Sequence, residues 1–284
     1  MQPISIVGPG APDLAEPLAN RLDGRVAVVD CAGEGERVRR TADSEATDGG
    51  VAVGEDRTGA AADTTLALDA DGSWTGRGSV DGLDDLLDGL APDHDYLIAV
   101  GDSRLRVSTV LLGADADSQD VPGTVIAAGD GPGEVDLDRL VDDLDAAEPW
   151  ITRETLVRRV EESADADRAG AVATFTGRVR ARDAPDDDRT THLAFEKYEG
   201  VAAERMDAIA AELTERDGVF EVRMHHRTGV VEAGEDIVFV VALAGHRREA
   251  FRTVEDGIDR LKDEVPIFKK EATEAEEFWV HRRD

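Results

Sequence analysis

Apolar positions along the chain follow two patterns. In the first half they form short unbroken runs separated by glycine and aspartate. Residues 4–7, 25–30, 96–101, 107–112 and 124–128 read as strands, 96–101 as a buried one. Helical spacing predicts helices over 14–22, 83–90 and 137–144 between them. Strands alternating with helices predict a parallel α/β sheet. Residues 32–63 are rich in Gly, Asp and Ala, lack periodicity and read as loop.

The second half reads differently. A helix over 151–167 has Thr152 as its N-cap, with Leu156 and Val160 on one face. Strands over 170–180 and 191–198 flank an acidic loop over 182–189, and this pair suits a hairpin. A helix over 201–216 follows, then strands over 219–226 and 236–243 joined through Gly229 and Gly234. In a long helix over 246–264, Phe251, Val254, Ile258, Leu261 and Val265 recur three and four apart, predicting a buried stripe. Pro266 ends that helix, and 267–270 and 278–280 read as short strands. Paired strands between helices predict an α+β domain.

The change of pattern sets a domain boundary at Glu148-Pro149-Trp150, giving domains 1–148 and 149–284. Charge shifts at the same place. Residues 1–150 hold ten Arg, no Lys and 32 Asp+Glu, a net of -22; residues 151–284 hold 22 Lys+Arg and 31 Asp+Glu, a net of -9. The whole chain carries a net -31, which argues against nucleic acid or an anionic membrane as partner. No apolar run of spanning length and no leader-like N-terminus is visible, so the expected compartment is the cytoplasm. Of 32 basic residues, 28 are Arg, a composition resembling that of extreme halophiles. At about 1 M salt the Debye length is roughly 3 Å, so the acidity describes a solvent more than a partner.

Three features carry candidate chemistry. The first is the strand–glycine–helix opening Val7-Gly8-Pro9-Gly10. A phosphate-binding P-loop needs Gly-x-x-x-x-Gly-Lys-[Ser/Thr], and from Gly8 those positions hold Asp13, Leu14 and Ala15. An aspartate among cradling amides would repel phosphate, so the loop is expected to be chemically empty.

The second feature is lysine. Only four exist, and Lys262, Lys269 and Lys270 cluster near the end of the long helix; Lys197 is the fourth. A surface under an arginine bias has no need of them, whereas Lys can act as base or nucleophile. The third is Gly245-His246-Arg247-Arg248, where a helix N-terminus adds amides and dipole to three cationic side chains, suiting phosphate or carboxylate. His246 and Lys262 lie 16 residues apart, about 24 Å along one helix. One small substrate cannot touch both, so a shared site needs two chains and predicts a dimer. His225 and His226 fall on opposite faces of a strand, so no metal site is expected. Cys31, the single cysteine, lies in the first domain and reads as inert, so sulfur could reach the second domain only on a partner or small molecule.

The C-terminal residues also resemble a family. Phe175-Thr176-Gly177-Arg178-Val179-Arg180, Phe195-Glu196-Lys197-Tyr198, His226-Arg227-Thr228-Gly229, His246-Arg247, Leu261-Lys262, Pro266-Ile267-Phe268-Lys269-Lys270-Glu271 and Trp279-Val280 look like MoaE, the large catalytic subunit of molybdopterin synthase. The resemblance implies a hammerhead-type α+β fold. It implies sulfur transfer from the C-terminal Gly-Gly thiocarboxylate of a MoaD-like ubiquitin-fold carrier to cyclic pyranopterin monophosphate, forming the molybdopterin dithiolene. It implies Lys262 and Lys269 as catalytic residues. Arg180, His246, Arg247 and Arg283 match the family's substrate-binding residues, the last three coming from a second subunit. It implies a homodimer within a heterotetramer, with no cofactor. The first domain resembles the MobB-like P-loop family, through residues 4–8 and 96–101, as a degenerate P-loop-like sheet. Two alternatives stay open: a docking platform for ubiquitin-like proteins that has lost catalysis, and a nucleotide-handling maturation protein.

Overall fold

A computed structural model describes residues 1–31, 63–80, 82–101, 105–113, 121–182, 184–197, 200–273 and 277–280. The chain divides into two compact units, Met1–Trp150 and Ile151–Asp284. No helix among the described residues is long and apolar enough to cross a membrane. The expected loop at 32–63 lies almost wholly outside the described residues.

Unit 1 holds strands β1 (Gln2–Val7), β2 (Val26–Cys31), β3 (Thr65–Leu68), β4 (Trp74–Arg77), β5 (Tyr96–Gly101), β6 (Ser108–Leu112) and β7 (Val125–Gly129). Its helices are α1 (Ala11–Ala19), α2 (Leu83–Leu90) and α3 (Leu137–Asp145). Five strands form one parallel sheet in the order β2-β5-β1-β6-β7. Its central strands β1, β5 and β6 are nearly continuous apolar runs because both their faces are covered. Ile4, Ile6, Ile98 and Val110 pack with α1 and α3 on one face; Leu97, Ala99 and Val107 pack with α2 on the other. The exposed hairpin β3–β4 has no counterpart in the sequence reading, since its four-residue strands carry little pattern.

Unit 2 holds β8 (Ala171–Arg178), β9 (Thr190–Lys197), β10 (Val219–His226), β11 (Gly229–Glu232), β12 (Asp236–Ala244), β13 (Ile267–Thr273) and β14 (Glu277–Val280). Its helices are α4 (Arg153–Glu161), α5 (Val201–Thr214) and α6 (Arg247–Glu264). Thr152 caps α4 in a reciprocal box with Thr155, and α4 ends well before the expected 167. Two antiparallel sheets follow the orders β10-β12-β8 and β11-β9-β13-β14. The expected β8–β9 hairpin is therefore corrected: β8 pairs with β12, and β9 with β11 and β13. The missed strand β11 occupies β9's other edge.

Strand β12 is buried on both faces. Val238, Val240, Ala242 and Ala244 join the core under α5 and α6, while Phe239, Val241 and Leu243 pack with Leu156 and Val160 of α4. Helix α6 lies close on this sheet at Gly257, where an added Cβ would meet Val240 Cγ1 at 2.9 Å. The stripe of α6 needs a correction as well. Its buried positions are Ala250, Thr253, Val254, Gly257, Ile258 and Leu261, whereas Phe251 is 66% exposed. Small Ala250 and Thr253 take the inner positions, which turns Phe251 outward.

Candidate functional site

The two candidate anion sites are both helix starts, and their backbones differ. In unit 1, Gly8-Pro9-Gly10 is a three-residue turn, and α1 begins at Ala11. The Ala11 N–H donates to the Gly8 carbonyl at 3.2 Å, Pro12 has no N–H, and the Asp13 N–H donates to the Gly10 carbonyl at 2.9 Å. Asp13 therefore lies in the first turn of α1, where its carboxylate disfavours an anion. Gly8, at φ 109, has the Leu112 carbonyl 1.9 Å from where a Cβ would sit. Gly8 thus lies backbone to backbone with Leu112 at the carboxyl ends of the adjacent strands β1 and β6, where a side chain has no room.

In unit 2, β12 leads through Gly245 to His246, the extended N-cap of α6. The His246 side chain makes no capping bond to the helix, and His246, Arg247 and Arg248 are all exposed. The two-residue link forces α6 back over the sheet, as the Gly257–Val240 approach requires. The C-terminal turn of α6 consequently returns to the end of the sheet where β12 begins.

That second end gathers the other candidates. Lys262 is exposed in the last turn of α6. Val265 leaves the helix in extended conformation, and β13 starts at Ile267 after Pro266. Lys269, half-buried, lies in register with Phe195 of β9 and Val280 of β14. Phe195 is buried and meets the buried His226 ring edge-on, with centroids 4.9 Å apart; His226 Nδ1 lies 2.7 Å from the Arg227 carbonyl oxygen. Arg180 is exposed just past β8, opposite the start of β12. Val179 anchors it: its N–H donates to Glu235 and its carbonyl accepts from Gly234, both at 2.9 Å.

Lys262, Lys269 and Arg180 thus share one end of unit 2, and His246 and Arg247 occupy the other. Arg283 lies outside the described residues. Sequence reasoning missed an ion network at the lysine end. Arg260 bonds Glu264 at 2.7 Å and Glu212 at 2.6 Å, and Arg205 pairs with Glu264. Hydrogen bonds from Arg260 and then Arg205 hold the Glu264 carboxyl down at about 2. The Arg260–Glu264 spacing of four was legible; the α5 contribution was not.

Unit 2 is thus an α+β unit with cationic side chains at both ends, Lys262, Lys269 and Arg180 at one and His246 and Arg247 at the other. Comparison supplies the family. The family model for MoaE protein matches residues 149–264, which takes in Arg180, His246, Arg247 and Lys262. A protein of Haloferax volcanii named "Probable molybdopterin synthase" is 51% identical over 284 residues, covering 100% of both chains. A molybdopterin synthase catalytic subunit of Bacillus subtilis is 35% identical over 130 residues, 46% of this chain and 79% of its own. The solved molybdopterin synthase of Staphylococcus aureus is 30% identical over 48% of this chain and 93% of its own, with a TM-score of 0.42. The chain belongs to the molybdopterin synthase family, as an enzyme of the catalytic, MoaE type.

Proposed function

We propose that the chain transfers sulfur from the thiocarboxylated C-terminus of a MoaD-like ubiquitin-fold carrier to cyclic pyranopterin monophosphate, forming the molybdopterin dithiolene. The observation that carries this reading is the grouping of Lys262, Lys269 and Arg180 at one end of unit 2. Lys262 aligns the thiocarboxylate and assists proton transfer; Lys269 and Arg180 hold the anionic pterin. His246 and Arg247 reach the substrate from a second copy, because α6 separates its two ends by about 24 Å, and the family resemblance assigns Arg283 to that copy as well. Each transfer replaces a C–O bond of the pterin side chain by a C–S bond, the displaced oxygen staying on the phosphate or leaving as water, and water then cleaves the acyl C–S bond to regenerate the carrier carboxylate.

Unit 1 serves as a P-loop-type sheet of MobB-like descent without nucleotide chemistry, and the closed start of α1 supports this. The assembly is a homodimer carrying two carriers, working in the cytoplasm of a halophile. The test combines full-length protein, thiocarboxylated carrier and pterin precursor in molar salt, with dithiolene formation as the readout. Product lost in Lys262→Ala supports the reading. Tight carrier binding without product favours the docking platform instead.

A further inference from the structure

We propose that Arg205, Glu212, Arg260 and Glu264 form a positioning device that fixes the last turn of α6 and so sets Lys262 in its reacting place. The inference rests on the synthase reading of Lys262 and adds the residues that hold it.

The four side chains close a ring across two helices. Arg260 reaches Glu264 through Nε at 2.7 Å and Glu212 through Nη2 at 2.6 Å. Arg205 pairs with Glu264 and reaches Glu212 at 3.7 Å. Each arginine thus lies within ion-pair distance of both carboxylates, and each carboxylate of both arginines. Arg205 and Glu212 stand seven apart on one face of α5, and Arg260 and Glu264 four apart on one face of α6. A planar guanidinium can bridge two acids in this way, whereas an ammonium is a mobile point charge.

The ring sits where α6 needs holding. Val265 leaves the helix in extended conformation, Pro266 has no N–H to donate, and the Val265 N–H donates to the Leu261 carbonyl at 3.1 Å. A glutamate in this turn stands at the negative end of the helix dipole, and the two arginines offset that. Arg260 and Glu264 straddle Lys262 in sequence. At about 100° per residue, Lys262 lies roughly 200° and 160° around the helix from them, beyond the buried stripe of Ile258 and Leu261. The ring can therefore grip α6 without touching a substrate held at Lys262. In molar salt, where screening acts over roughly 3 Å, contact pairs keep their grip while more distant charges do not.

The test reverses the ring at constant net charge in the full chain. Arg205→Glu/Glu212→Arg reverses the α5 side and Arg260→Glu/Glu264→Arg the α6 side. Either double variant sets like charges against each other between the helices, and the fourfold variant restores opposite charges throughout. Each double variant is expected to lower kcat for dithiolene formation about tenfold while the KM for the pterin stays unchanged, since misplacing a reacting group by about 1 Å costs up to about a hundredfold. The fourfold variant regains most of the rate. In Lys262→Ala protein the reversals cost nothing further, because nothing is left to place. Glu212→Gln, which removes one charge at the most exposed corner, gives the same pattern more weakly if a reversed side does not fold. Double variants with wild-type kcat overturn the proposal, as does a fourfold variant no faster than the doubles or an equal loss in Lys262→Ala. Hydrogen exchange at the Val265 amide separates this outcome from failure of the synthase reading. It should quicken about tenfold in each double variant and recover in the fourfold one. A wild type that forms no dithiolene but shows this exchange pattern sinks the synthase reading and keeps the ring as the clamp on the helix end.

Discussion

The start of α1 and the start of α6 look alike in sequence: a strand, a glycine, then a helix. Only one is open. At α1 the first-turn donors are absent or used, through Pro12 and the bonds of Ala11 and Asp13 to the glycine turn. At α6 the cap residue His246 makes no capping bond and is followed by two exposed arginines. Both first turns carry one acid, Asp13 and Glu249, so the contrast lies in the backbone donors and in the flanking arginines. The fold offers both units the same device, and local sequence decides which keeps it.

The sharpest way to break this contrast is to remove chemistry from unit 2 and packing from unit 1. Lys262→Ala is expected to lower dithiolene formation by about 10²–10³, as losing one preorganised charge does. Single-turnover assays with thiocarboxylated carrier measure it, and unchanged turnover removes Lys262 from the site. Gly8→Ala should act on the other unit. A Cβ there meets the Leu112 carbonyl at 1.9 Å, at a φ of 109, so a loss of about 2 kcal/mol or more is expected. Thermal unfolding should show an earlier transition while sulfur transfer persists. Loss of activity together with that transition would mean unit 1 takes part in the reaction.

How much of this was legible depends on how local the physics is. Strand β10 (Val219–His226), the Thr152 cap and the stop at Pro266 are local signals, and each stands where the pattern put it. The β8–β9 hairpin does not form, because pairing is not local: the partners of β9 lie more than 30 residues on in β11 and 70 or more on in β13. Phe251 misled for a related reason. Periodicity gives the angle of a stripe only to within a residue, and Ala250 and Thr253 fit closer to the sheet. The lysines stood out because the composition avoids them. The ion network around Glu264 did not, because half of it comes from another helix.

Arg247→Ala tests the open helix start directly. Removing one charge-assisted contact to the pterin should raise its KM about tenfold while carrier binding stays unchanged. Mixing Arg247→Ala with Lys262→Ala protein should restore part of the activity, since one mixed dimer holds one intact composite site. No restoration would place both residues in a site built by a single copy.

The smallest effect concerns the ion network at the lysine end. Hydrogen bonds from Arg260 and Arg205 hold the Glu264 carboxyl at about 2, below its ordinary 4.5. A carboxyl whose folded value is depressed contributes stability that is fully present above the unfolded value and is lost as pH falls through the folded one. Glu264→Gln should therefore lower the melting temperature at neutral pH. The gap to wild type should close between about pH 4.5 and 2 and vanish below. Unit 1 supplies the control: Arg139→Ala removes its pair with Asp143 at 3.5 Å, which is too exposed to produce such a pH-dependent gap. Salt sharpens the distinction, because the partly buried Glu264 cluster is screened less than an exposed pair. A gap that stays constant from pH 7 to pH 2 would mean that Glu264 acts through packing, and its arginines would then hold the end of α6 without their charge mattering.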